Sequence, residues 1–128
     1  DLPFDEKFVV LGDRTPESGY LAMQELLKVE PLPSAVFIAS DTVALGAMNA
    51  LYENGIHVPD DMAVVGFDDI ALARYVIPPL TTIHLPAYSL GLGAANMLIQ
   101  QINDDFKESS EIILQTRLVI RESSGRNL

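Results

Sequence analysis

Two apolar runs that each end in acidic residues constrain this chain more than any other feature. "SAVFIASD" (residues 34–41) and "MAVVGFDD" (residues 62–69) do not alternate polar and apolar positions. Such runs are typical of strands that are buried on both faces of a parallel sheet. A third β-rich run, "KFVVLG" (residues 7–12), precedes them and is followed by Asp13. The runs predict strands of one open parallel sheet.

Two helical patterns separate these runs. "TPESGYLAMQELLKVEP" (residues 15–31) offers Thr15 as N-cap and Pro16 as the first helical residue. "DTVALGAMNALYENG" (residues 41–55) has apolar residues at helical spacing and ends at Gly55, where a left-handed C-cap is expected. Because helices alternate with strands, we expect an α/β fold with an open parallel sheet, right-handed crossovers and helices on both faces.

Acidic residues follow three of the predicted strands: Asp13, Asp41, and Asp68 with Asp69. Ligands of open parallel sheets bind beyond the carboxyl ends of the strands, and a parallel arrangement brings these ends to one edge. Each acid alone could instead cap a following helix, as Asp41 could for a helix that begins at Thr42. Taken together, the acids favour a binding site.

The last third of the chain has a different pattern. "PPLTTIHLP" (residues 78–86) is a proline-bounded extended segment, and "AYSLGLGAANMLIQQIND" (residues 87–104) is a helical pattern with small and apolar residues on one face. A polar stretch, "NDDFKESSE" (residues 103–111), follows. "IILQTRLVIRES" (residues 112–123) is long for one strand and polar at its centre, which predicts two short strands joined by a crossing at residues 115–117.

Composition excludes several classes of function. The 128 residues include 18 acidic and 8 basic side chains, for a net charge of −10, and no Lys/Arg run. We therefore expect no direct contact between this segment and nucleic acid. The absence of cysteine excludes disulfides and Cys-based sites, and no apolar run is long enough to cross a membrane. These features fit a cytoplasmic protein.

Residues suited to covalent catalysis are few. The serines lack the G-x-S-x-G context, and His57 and His84 are interpreted as a surface residue and a strand-end residue. A magnesium-dependent phosphotransfer site built from Asp41, Asp68 and Asp69 is the rival hypothesis from another class. No Gly-rich phosphate loop and no accompanying Lys or Ser/Thr set completes it. We expect no enzyme activity, no cofactor and no metal, and we favour non-covalent recognition.

Carboxylates accept paired hydrogen bonds from adjacent hydroxyls of a polyol such as a sugar, so the acidic edge suits that class of ligand. Arg14 is a cation beside Asp13. One interpretation is a local salt bridge with Asp13, and the other is a donor to an anionic ligand.

Three motifs carry a resemblance to a known family: "DTVALGAMNAL", "VPDDMAVVGFDD" and "PPLTTI", accompanied by "LVIRES" near the end. In this order and spacing they resemble the effector-binding region of the lactose/galactose-repressor family of bacterial transcription regulators. The similarity covers nearly the whole chain, from about Gly12 to Ser123. The stretch "ARYVIPPLTTIHLPAYSLG" is especially similar to the purine-repressor branch. The resemblance implies a two-lobe, periplasmic-binding-protein-like (type I) fold with the effector in the cleft between the lobes.

The resemblance also implies how the chain divides and what it would be part of. Residues 1–84 would be the C-terminal lobe without its first strand–helix unit. Residues 85–116 would be a crossing, a helix and a strand of the N-terminal lobe, and residues 117–128 the return to the C-terminal lobe and the tail. A helix-turn-helix DNA-binding module would precede this part, and a homodimer would form through the lobes. The rival on the same fold is an exported sugar-binding protein of a transporter.

By position, Asp68 matches the family's ligand-binding aspartate, and Ser40 stands where the lactose repressor has a ligand-binding asparagine. Arg14 replaces an aromatic residue that packs against the ligand, which makes an effector with a phosphate or carboxylate worth testing beside neutral sugars and purines. The remaining predicted effector contacts are Asp13, Asp41, His84 and Leu85. The predicted dimer contacts are Leu45, Met48, Tyr75 and Val76.

Overall fold

The structure is a computed structural model that describes residues 4–103 and 111–125. Its helices and strands, in chain order, are α1 (Pro16–Leu26), β1 (Ala35–Phe37), α2 (Asp41–Glu53), β2 (Ala63–Asp68), β3 (Thr81–His84), α3 (Ala87–Ile102) and β4 (Arg117–Val119). Short 3-10 helices lie at Glu6–Phe8, Ala71–Arg74 and Glu122–Ser124. The strands form one sheet in the order β1-β2-β3-β4.

The sheet is mixed, which refines the predicted parallel sheet. Strands β1, β2 and β3 are parallel neighbours, as predicted. Strand β4 runs antiparallel to β3 and pairs Leu118 with Ile83. An edge strand has the same residue pattern in either direction, so the sequence could not indicate this reversal. Two short strands were predicted in residues 112–123. Only the second of them forms, as β4, and residues 111–116 have no regular structure.

The first predicted strand, residues 7–12, is wrong. Residues 6–8 form a 3-10 turn in which the Asp5 carboxylate accepts a hydrogen bond from the Lys7 N–H at 3.1 Å. Residues 9–12 have no regular structure, and their apolar side chains are exposed. Residues such as Val9 and Val10 favour a strand only where a neighbouring strand pairs with it and packs against it. The described part of the chain provides no such partner for this segment.

The predicted helix ends are confirmed. Thr15 caps α1 by accepting a hydrogen bond from the Ser18 N–H at 3.1 Å, and Pro16 is the first helical residue. Gly55 follows α2 with a φ of 72°, a conformation that glycine adopts without the penalty of a side chain. Helices α1 and α2 approach so closely that a Cβ on Gly46 would lie 1.8 Å from the Pro16 carbonyl oxygen.

One hydrophobic core lies between these two helices and the face of the sheet that carries Val64. Its largest fully buried apolar side chains are Leu51, Met62, Leu80 and Val64. Helices were predicted on both faces, but α1 and α2 both pack on this one, and the opposite face of β1 carries Phe37, which is 59% exposed. Within the described residues, β1 is therefore covered on the face that packs against the core and exposed on the face that carries Phe37.

Helix α3 contributes no buried residue. Its large apolar side chains, including Tyr88, Leu98 and Ile102, are exposed to solvent. The assignment of this helix to a second lobe, and the division of the chain at residues 84 and 117, stay predictions. The predicted polar break falls mostly on residues 104–110, which lie outside the described residues. No helix in the described ranges is both long and apolar enough to span a membrane.

Candidate functional site

The carboxyl ends of β1 and β2 bring together the two residues that were predicted as central effector contacts. Asp68 is the last residue of β2, and Ser40 follows β1 as the N-cap of α2. The Ser40 hydroxyl donates a hydrogen bond to Asp68 Oδ2 at 3.2 Å, and both residues are partly exposed. A carboxylate and a hydroxyl thus lie side by side at the sheet edge where ligands of such folds bind.

The backbone at this edge is strained. Asp68 has a φ of 116° and Asp69 a φ of 59°, backbone angles that residues other than glycine rarely adopt. Such conformations persist only where the surroundings hold them, and they are concentrated at functional sites. The kink gives the two successive carboxylates different partners: Asp68 contacts Ser40, whereas Asp69 contacts residues of β3 and of the segment after β4.

Asp41 is a structural residue rather than the predicted effector contact. Its side chain is completely buried, and it accepts hydrogen bonds from the Ile70 N–H at 3.0 Å and from the Thr82 hydroxyl at 2.6 Å. A Cβ on Gly66 would lie 2.2 Å from Asp41 Oδ1, so only glycine leaves room for this carboxylate. Both oxygens accept hydrogen bonds from the protein, and complete burial keeps the carboxylate out of reach of a ligand. Asp41 instead ties α2 to the chain just after the strained pair.

Asp69 contacts two side chains, Arg121 and His84, and the sequence pattern did not predict that these three residues lie together. Arg121 Nη2 donates to Asp69 Oδ1 at 2.6 Å, and His84 Nδ1 lies 2.9 Å from Asp69 Oδ2. The Asp69 side chain is 8% exposed. Arg121 also donates from Nη1 to the Leu80 carbonyl oxygen at 2.7 Å, so the same guanidinium joins the strained turn to β3. The only sequence signal for Arg121 was its place in the "LVIRES" motif.

This ion pair lowers the pKa of Asp69. Burial raises that pKa, but the hydrogen bonds and charges of Arg121 and His84 outweigh burial and hold it below the ordinary value of 3.8. Since the carboxylate form is favoured in the folded state, its contribution to stability is fully present above the ordinary pKa. That contribution is lost as the pH falls through the folded-state pKa.

We therefore expect Asp69→Asn to flatten the acid limb of the stability curve below about pH 4, by up to about 1.4 kcal/mol per pH unit for this single group. Urea unfolding of the two proteins between pH 2 and pH 6 measures this difference. Asp60→Asn, an exposed acid in a turn, is the matched control and should follow the wild-type curve. Parallel acid limbs for the wild type and Asp69→Asn would contradict the prediction.

A cavity of about 490 Å³ beside the site contains three of the predicted residues: Asp13, Arg14 and Ser40. The rest of its lining is mostly apolar and comes from residues 8–12, α1, β1 and α2. Asp68 is not part of this lining and is connected to it through the hydrogen bond with Ser40. The structure thus groups the predicted residues around Ser40.

Asp13 does not form the local salt bridge with Arg14 that the sequence left open. Asp13 Oδ1 accepts hydrogen bonds from the Thr15 hydroxyl at 2.5 Å and from the Thr15 N–H at 2.8 Å. The hydrogen bond from the Thr15 side chain is the largest cause of the lowered pKa of this exposed carboxyl. Arg14 is exposed, and within the described residues it takes part in no salt bridge.

His84 and Leu85 lie next to Asp68 in the register of the sheet. His84 pairs with Asp68 across β2 and β3, and its side chain is 37% exposed. The Leu85 N–H lies 3.5 Å from the Asp68 carbonyl oxygen, a weak contact. Both residues are thus neighbours of Asp68, and their role as effector contacts stays a prediction.

The predicted dimer contacts differ in how accessible they are. Tyr75 is 74% exposed, and Leu45 is half-buried beside a shallow surface groove between α1 and α2. Met48 is buried in the hydrophobic core, which corrects its prediction as a surface contact, and Val76 packs against that core. Leu45 and Met48 belong to the same helix but differ in exposure, because the side chains of a helix are distributed over a buried face and an exposed face. Dimer formation itself stays a prediction.

The titratable groups of this edge do not form a metal site. Among residues 4–103 and 111–125, no three His, Cys, Asp or Glu side chains are grouped so that they could hold a metal ion. Asp41, Asp68 and Asp69, which the phosphotransfer hypothesis required together, have separate hydrogen-bond partners instead.

The mixed α/β sheet is that of a periplasmic-binding-protein-like domain, and comparison with known proteins agrees. The family model of the periplasmic binding protein-like domain matches residues 2–124. The chain therefore belongs to the periplasmic binding protein-like domain family.

The relatives within that family are transcription regulators. The chain is 44% identical over 130 residues to the HTH-type transcriptional repressor PurR of Actinobacillus pleuropneumoniae serotype 3 (strain JL03), covering 100% of the chain and 38% of that repressor. It is 47% identical over 118 residues to PurR of Klebsiella pneumoniae (strain 342), covering 92% of the chain and 35% of the repressor. The chain thus spans little more than a third of the length of these curated relatives.

Solved structures show the same relationship. A complex of the transcriptional regulator CelR with cellobiose superposes with a TM-score of 0.91 at 40% identity, over 95% of this chain and 37% of that chain. A sugar-binding transcriptional regulator of the LacI family from Escherichia coli, complexed with phosphate, superposes with a TM-score of 0.81 at 33% identity. This match covers 95% of the present chain and 44% of the regulator. The resemblance to LacI-type regulators that the motifs indicated is confirmed.

Proposed function

We propose that this chain is the C-terminal part of the effector-binding region of a LacI-type transcription regulator, and that it binds a small-molecule effector at Asp68 and Ser40. The observation that carries this proposal is the hydrogen-bonded Ser40–Asp68 pair on a strained backbone at the carboxyl edge of the sheet. The carboxylate can accept hydrogen bonds from adjacent hydroxyls of a sugar or from an N–H of a purine. The names of the relatives, which include a cellobiose complex and purine-type repressors, support this class of effector.

In this proposal the chain is not an enzyme. Effector binding favours one setting of two lobes over another, and the difference in affinity between the settings biases paired DNA-binding modules. Operator binding would belong to a helix-turn-helix module outside this chain, since the net charge of −10 disfavours contact with the phosphate backbone of DNA here. The whole protein would act as a cytoplasmic homodimer. The relatives support this reading over an exported transport protein because they are repressors.

Asp68→Asn in the full-length protein tests the proposal directly. The substitution keeps the shape of the side chain but removes the charge and one acceptor, so we expect effector affinity to fall about 10- to 100-fold. Isothermal titration with cellobiose, ribose, guanine and hypoxanthine identifies a binding compound and measures the loss.

Asp60→Asn is the matched control, because Asp60 is an exposed acid in the turn before β2, and it should retain wild-type affinity. Effector binding that survives Asp68→Asn unchanged would contradict the assignment of the site. If the binding compound leaves operator affinity of the full-length protein unchanged, the regulator reading fails while the binding site stands.

A further inference from the structure

Among the described residues, Arg14 is the one cation that lines the cavity beside the site, and its surroundings are mostly apolar. The cavity is formed by apolar side chains such as Val10, Met23 and Val43, together with Asp13, Arg14 and Ser40. Ser40 belongs both to this lining and to the hydrogen-bonded pair with Asp68. A ligand that contacts Ser40 and Asp68 is therefore adjacent to the space that Arg14 borders.

Three acids of the same sheet edge, other than Asp68, are already engaged by other partners. Asp13 accepts two hydrogen bonds from Thr15, and Asp41 is buried against Thr82. Asp69 is paired with Arg121. Arg14 therefore makes no ion pair within the described ranges, although the chain carries 18 acidic side chains and only 8 basic ones.

An unpaired guanidinium beside apolar side chains becomes costly when a bound ligand displaces the water that solvates it. A neutral ligand would impose that cost without offering a partner. An oxyanion on the ligand offsets this desolvation cost, because the planar guanidinium donates two parallel hydrogen bonds to a phosphate or a carboxylate. The hydroxyls of the same ligand can be accepted by Asp68, so the two charged side chains would bind opposite ends of one molecule.

We infer that the effector carries a phosphate or a carboxylate that pairs with Arg14, together with hydroxyls that bind Asp68. This inference rests on the proposed function, since it names the chemical class of ligand for the same site. It predicts that a phosphorylated or acidic sugar binds more tightly than the neutral sugar from which it derives.

Isothermal titration of the full-length protein with matched ligand pairs tests this. The probes are glucose with glucose 6-phosphate and glucuronate, and ribose with ribose 5-phosphate. We expect at least one anionic member to bind about 10-fold or more tightly than its neutral parent, and the comparison of the phosphate with the carboxylate identifies the oxyanion. We expect Arg14→Gln to reduce that affinity about 10- to 100-fold, and to reduce it more than it reduces the affinity for the neutral parent.

Arg74→Gln, at an exposed arginine of the Ala71–Arg74 turn, is the matched control and should change neither affinity. Arg14→Lys keeps the charge but loses the planar fork, so its affinity should fall between those of the wild type and Arg14→Gln. Equal loss of neutral and anionic ligands in Arg14→Gln would overturn the inference, as would an anionic ligand that binds Arg14→Gln at full strength.

The design separates this inference from the proposed function. Neutral probes that bind and depend on Asp68, with no anionic probe bound more tightly, would overturn the role of Arg14 and leave the proposed function standing. If no probe of either kind binds in an Asp68-dependent manner, both the inference and the proposed effector site fail.

Discussion

Replacing Arg121 by Met is expected to lower the free energy of unfolding by about 3–5 kcal/mol. The substitution leaves the Asp69 carboxylate buried with only His84 beside it, and a buried charge without its partner is strongly destabilising. It also removes the donor to the Leu80 carbonyl oxygen, which links the turn to β3. Urea denaturation at pH 7, followed by circular dichroism, measures the loss.

Two further variants establish that the buried charge is the cause. Arg74→Met removes an exposed arginine and should change the stability by no more than about 0.5 kcal/mol. Arg121→Met combined with Asp69→Asn leaves no charge without a partner, and asparagine tolerates the positive φ of position 69. This double variant should therefore be more stable than Arg121→Met alone. A loss below about 1 kcal/mol in Arg121→Met would show that the ion pair does not hold the strained turn.

Gly46→Ala is expected to destabilise the fold by about 3 kcal/mol or more, because the added methyl group has no space. Its Cβ would lie 1.8 Å from the carbonyl oxygen and 2.6 Å from the carbonyl carbon of Pro16. Both atoms belong to the backbone, so no side-chain rotation can relieve the overlap, and α1 would have to move away from α2. The same denaturation experiment measures the effect.

The matched control is Gly91→Ala in α3. Apart from the neighbouring residues and backbone of its own helix, a Cβ on Gly91 would meet no heavy atom of the described residues within 4 Å. Alanine also favours a helix over glycine by about 1 kcal/mol. We expect this variant to be unchanged or slightly more stable. If Gly46→Ala were as stable as Gly91→Ala, the close approach of α1 and α2 would be wrong.

Much of the fold could be predicted from local pattern. Apolar runs without alternation marked β1 and β2, and Thr15, Pro16 and Gly55 marked helix ends, because these signals act within a few residues of chain. The pattern failed for residues 7–12, where an apolar composition favours a strand but no neighbouring strand in the described chain pairs with it. A strand is stabilised by its neighbours, whereas a helix satisfies its own backbone.

The candidate site was predicted as a location rather than as a set of contacts. Acids at strand ends predicted a site at the carboxyl edge of the sheet, and the family resemblance singled out Asp68 and Ser40; this site stays a prediction. The position of the acids at strand ends did not distinguish Asp68, which is partly exposed, from Asp41, which is buried and hydrogen-bonded through both oxygens. All these aspartates end apolar runs and look alike in the sequence.

The sequence by itself determined the α/β fold, the helix ends and the edge at which acidic residues collect. The tertiary structure decided that Asp41 and Asp69 make structural contacts within the protein and that Asp68 is partly exposed to solvent. Asp69 and its partner Arg121 are 52 positions apart, and Asp41 and Thr82 are 41 apart. Burial and pairing over such separations depend on how strands are placed side by side, and no local pattern of residues records that placement.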